Sequence, residues 1–81
     1  MDRARIGEPM SDDDLLHDLL MAEQHVRQAQ LIVARHRERV AHLEHIGADS
    51  LAARQMLNVF EDNLRIFEGH RDYLKHRREQ K

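Results

Sequence analysis

The stretch HLEHIGADSLAARQ, residues 42–55, decides how this chain folds, because it is the one place after Ser11 where a long helical pattern breaks. Within it, IGADS carries a helix stop and a helix start back to back. Gly47 stands where a left-handed residue ends a helix, and Asp49 or Ser50 supplies a side-chain oxygen to cap the next one. A flexible hinge between domains would be longer and richer in Gly and Ser. Residues 47–50 therefore read as a tight turn where one helix folds back on another.

Upstream of that corner, apolar or small residues recur at alternating steps of four and three. Leu19, Val26, Val33 and Val40 make one row of a heptad seam, and Leu15, Ala22, Ala29, His36 and Leu43 make the other. The pattern predicts a helix over residues 12–46, about 50 Å long at about 1.5 Å per residue. Downstream, the rhythm resumes at Ala53, Leu57, Phe60, Leu64, Phe67, Arg71 and Leu74, predicting a second helix over residues 50–77. The expected fold is all-α: two long antiparallel helices forming a coiled-coil-like helical hairpin. Closing it brings Val40 and Leu43 to Ala53, Leu57 and Phe60, and sets Ala29 and Val33 opposite Leu64 and Phe67, small against large. Periodicity leaves the register open by one layer.

The first helix has a strong start in MSDDDLL, residues 10–16. Ser11 and Asp14 occupy the capping-box places, Met10 and Leu15 the staple places, and Asp12 and Asp13 suit the positive end of the helix dipole. This acidic start, with Asp18, is expected beside the basic finish of Lys75, Arg77, Arg78 and Lys81. Ahead of it, Gly7 and Pro9 interrupt a stretch without periodicity. The chain thus divides into a disordered arm over residues 1–10 and a hairpin over residues 11–81, and Met10 is itself a candidate initiator.

With 81 residues there is room for one small domain, and folds of this size usually lean on staples or partners. Cysteine is absent, so disulfides and thiolate zinc sites are excluded. Charged residues make up 35% of the chain and aromatics 4%, a composition for long helices rather than sheets. The formal net charge of −2 gives no bulk attraction to nucleic acid or to acidic membrane. No apolar run approaches the roughly 20 residues of a membrane span, and MDRARIGEP has no apolar core for a secretory signal, so the chain reads as cytoplasmic.

Seven histidines raise the question of a metal. His42 and His45 share a helical face with Glu38 one turn away, a set that would hold zinc weakly. Neither the His-Glu-x-x-His order nor the Glu-x-x-His pair of di-iron bundles is present, and the two histidines point away from the seam, so solvated side chains are the better reading. His36 differs, because a polar group within the seam sets register or is tolerated by reaching to solvent; if buried, its charge state would make assembly pH-sensitive. RHRER, residues 35–39, is a basic cluster that helical rotation spreads around the rod. No Ser-His-Asp or Cys-His order, Gly-rich phosphate loop or pair of inward carboxylates occurs, and two helices enclose no deep pocket. The sequence predicts no enzyme, cofactor or metal.

The span from HVRQAQLIVARHRERVAHLE through DSLAARQMLNVFEDNLRIFEGHRDYL, His25 to Leu74, resembles a group of short uncharacterised bacterial helical-hairpin proteins. The likeness lies in a His-Val opening, a Val-x-x-Leu end to the first helix, a Gly-x-Asp-Ser/Thr corner, and then Leu-x-x-Phe-Glu and Arg-x-x-Leu. The chain departs from that pattern at His36, where the group usually has Gln. The resemblance implies a helical hairpin and no assigned activity.

On the second helix the apolar surface outruns the seam. Ala52, Val59, Ile66 and Tyr73 repeat every seventh residue, about 100° from the row Ala53, Phe60, Phe67 and Leu74. Met56 bridges the two rows, making a stripe roughly 160° wide that one partner helix cannot cover. The expectation is a non-enzymatic interaction module that self-associates through Ala52, Met56, Val59, Ile66 and Tyr73 into a homodimeric four-helix bundle, with docking on another protein through the same stripe as a further use. The competing expectation is a small nucleic-acid-associated regulator using residues 35–39 and the basic tail. The spread of those arginines makes nucleic acid the weaker partner, and the missing span argues against membrane. Because the start signals lie at Met10 and Ser11, deleting residues 1–8 should leave helicity and the thermal midpoint nearly unchanged by circular dichroism. A fall of more than a few degrees would mean that the arm packs on the hairpin.

Overall fold

The structure is a computed structural model that describes residues 12–80. The expected arm over residues 1–10, the Ser11 cap and Lys81 lie outside the described residues. Two helices account for nearly all of the rest: α1, Asp12–His45, and α2, Leu51–Glu79. They pack against each other as a hairpin with no strand among the described residues. The bounds shift slightly from those periodicity suggests: α1 stops one residue short of Ile46, and α2 starts at Leu51 and runs on to Glu79. The extension is intelligible, since His76, Arg77 and Arg78 in the last turn suit the negative end of the helix dipole.

Gly47 ends α1 in the left-handed region, at φ 74°. Its N–H donates to the Glu44 carbonyl at 3.2 Å and the Ala48 N–H to the Leu43 carbonyl at 2.9 Å, the paired bonds of a Schellman motif. Of the two capping candidates, Asp49 makes the bond: its Oδ1 accepts from the Leu51 N–H at 2.9 Å. Ser50 holds the cap position without a side-chain bond to the backbone, and its Oγ instead accepts from Arg54 Nε at 3.3 Å. Arg54 also pairs with Glu44 across the corner. The corner is thus satisfied on both sides by residues within a few positions of it.

Burial is divided unequally. Leu15, Leu19, Ala22, Val26, Ala29, Val33 and Val40 of α1 are buried, whereas on α2 only Leu74 is. Ala53, Leu57, Phe60, Leu64 and Arg71 are half-buried, and Phe67 remains 38% exposed. Where α1 offers the small Ala29 or Val33, the phenylalanines of α2 lie over the seam with one flank in water. Leu15, Leu19, Ala22 and Leu74 form a buried cluster at the open end, so the end of α2 lies beside the start of α1. Cross-pairs fix the register that periodicity leaves open: Arg37 to Glu61, Glu44 to Arg54, and His36 on Phe60. No helix among the described residues is long and apolar enough to cross a membrane.

The two described glycines separate backbone conformation from packing, because a Cβ at either would meet nothing within 4 Å. Gly47→Ala should destabilise the hairpin by about 1 kcal/mol in chemical denaturation, since only the left-handed backbone is affected. Gly69→Ala, within α2, should stabilise it by about 0.5–1 kcal/mol. Equal effects at the two sites would contradict the corner geometry.

Candidate interaction face

The two edges where the helices meet differ in chemistry. Along one, Arg37 Nη2 lies 3.0 Å from Glu61 Oε2, and Glu44 pairs with Arg54. With the Arg37 side chain 63% exposed, such pairs contribute at most about 1 kcal/mol each, yet they cover that edge with charge. Along the other edge runs a groove of about 220 Å³ lined by His25, Gln28, Ala29 and Ile32 of α1 and Phe60, Asn63 and Phe67 of α2. None of these lining residues is an acid, a lysine or an arginine.

Two histidines of α1 pack on the two phenylalanines of α2. His36 stacks on Phe60 with centroids 4.6 Å apart and planes 24° apart. His25 meets Phe67 at 5.7 Å, tilted by 45°. His36, the polar break in the seam, is therefore half-buried against an aromatic ring rather than enclosed.

Beside the groove lies the predicted stripe. Val59 is 52% exposed, Ile66 68%, Tyr73 55% and Met56 50%, and Ala52 is exposed as well. By helical spacing, Met56 shares its row with the groove residue Asn63, so stripe and groove are adjacent parts of one face. Tyr73 is held at its polar tip, where Arg77 Nη1 donates to the hydroxyl at 3.1 Å and the guanidinium lies 5.8 Å from the ring centroid. Arg77 thus turns to its own helix.

Sequence reading identified the stripe and missed the groove. Its residues His25, Gln28, Ile32 and Asn63 flank the seam, and two such flanks abut only once antiparallel pairing is imposed. Seam-flanking positions read on both helices together would have found them.

The other candidates are scattered. His42 and His45 are exposed, as is Glu38, and no group of three or more potential ligands that could hold a metal occurs among the described residues. Arg35, Arg37 and Arg39 are all exposed, but Arg37 is drawn to Glu61 on the charged edge. No buried side-chain nitrogen or oxygen among the described residues lacks a partner. No family model, curated protein or solved structure matches this chain.

Calorimetric titration with zinc should therefore give no binding tighter than tens of micromolar, about −6 kcal/mol at 25 °C. A submicromolar isotherm that disappears in the double variant His42→Ala, His45→Ala would overturn this.

Proposed function

We propose that the chain is a non-enzymatic interaction module whose partner is a second copy of itself, giving a dimeric four-helix bundle. The observation that carries this reading is the exposure of Val59, Ile66 and Tyr73 at seven-residue spacing on one face of α2. Soluble monomers rarely leave a continuous apolar patch of that length in water. Covering Val59 and Ile66 would contribute about 1.5–3 kcal/mol each, a large increment for a hairpin with so few buried residues. A symmetric dimer achieves this with a single self-complementary surface.

The charge distribution favours a second hairpin over an extended nucleic acid. Between Ile32 and Met21 on α1, and between Met56 and Tyr73 on α2, the face carries histidine, amide and apolar groups, while the arginines of residues 35–39 are divided between the two edges. Light scattering on the purified chain should give twice the monomer mass. Ile66→Asp should convert it to a monomer of reduced helicity, although Ile66 is 68% exposed in the isolated hairpin. A well-folded wild-type monomer at micromolar concentration would sink the proposal.

A further inference from the structure

We propose that the second copy docks head to tail, with a two-fold axis crossing the rods at the level of Ile66, so that α2 lies antiparallel on the partner's α2 and α1 on the partner's α1. This rests on the dimer reading above and supplies its geometry. Two hairpins placed face to face have two symmetric arrangements. With the axis along the rods, the corners meet and α1 faces the partner's α2. With the axis across the rods, each corner meets the other's open end and each helix faces its own copy.

Apolar matching separates the two. The contacts of His25 with Phe67 and of His36 with Phe60 set the levels along the rod. They place Ile66 level with the His25–Gln28 segment, and Val59 and Met56 level with Arg35 and Arg39. A corner-to-corner dimer would thus press two guanidinium groups onto Val59 and Met56. The head-to-tail dimer instead sets Ile66 on the partner's Ile66 and Val59 on the partner's Tyr73, a small side chain against a large one. Only α2 on α2 covers the exposed repeat with itself.

Charge matching agrees. By helical spacing, Asp18 and Arg39 lie on the α1 side of this face, near opposite ends, and neither is in an ion pair among the described residues. Antiparallel α1 on α1 brings Arg39 within about a turn of the partner's Asp18, twice by symmetry. The corner-to-corner form would offer Asp18 the partner's Arg77, which is engaged with Tyr73, and would leave Arg35 and Arg39 on apolar surface.

The chain has no cysteine, so introduced thiols report neighbours directly. Ile66→Cys alone should form a covalent dimer with a short bis-maleimide. Val59→Cys and Tyr73→Cys should link efficiently only when the two variants are mixed. Linkage between Gln28→Cys and Ile66→Cys in place of the Ile66→Cys self-link would mark the corner-to-corner form and overturn the proposal. A dimeric mass without the Ile66→Cys self-link overturns the orientation alone, whereas a monomeric mass overturns the dimer reading with it. At low salt, Asp18→Arg or Arg39→Asp should weaken the dimer roughly tenfold, and the two together should restore it. Failure of the double variant to recover would also overturn the proposal.

Discussion

Each helix of this chain has one neighbour within the fold, and the rest of the structure follows from that constraint. A helix with a single partner buries one stripe and leaves its flanks in water. On α1 the seam is built of Leu, Val and Ala and seven of its residues are buried, while Leu20, Met21, Leu31 and Ile32 outside it remain exposed. On α2 the apolar surface is wider and its side chains are larger, so the same contact covers it only halfway. In the middle of the rod the small side chains of α1 lie beneath and the phenylalanines of α2 form the cover.

Charge then decides which flank stays open. Arg37 with Glu61 and Arg54 with Glu44 run along one edge, and their value lies less in stability than in keeping that edge hydrated. The opposite edge has a groove of aromatic, amide and imidazole groups beside the exposed repeat of α2. The two edges thus differ in chemistry, and the proposed self-association uses the one with the groove and the exposed repeat.

Much of the fold was legible in the sequence, and the reasons are specific. IGADS is readable because Gly47 needs a positive φ and the residues after it are side-chain acceptors; the structure shows both, with Asp49 chosen over Ser50. Choosing between adjacent acceptors depends on local backbone angles that composition does not encode. The seam was readable because spacing alone assigns a residue to a face. Spacing does not say which residue meets which across the pair, so the stacking of His36 on Phe60 and the groove beside Phe67 became visible only with the register. The candidate stripe was legible because Val59, Ile66 and Tyr73 repeat without a match on α1.

The buried cluster of Leu15, Leu19, Ala22 and Leu74 lies at the end of the hairpin away from the corner. Contacts near Gly47 close short loops, and each contact further along the rod closes a longer one at greater entropic cost. A seam zipping outward from the corner would therefore be weakest at its mouth. Here the mouth holds a clasp of buried aliphatic side chains, while the middle has tilted rings and an open groove along one flank of the seam. The rod is fastened at both ends, and between them Val26 and Val33, each 2% exposed, continue the seam beneath the rings. The groove beside the seam opens at the level of Ile66, so a surface recess and the proposed docking stripe share one stretch of the rod.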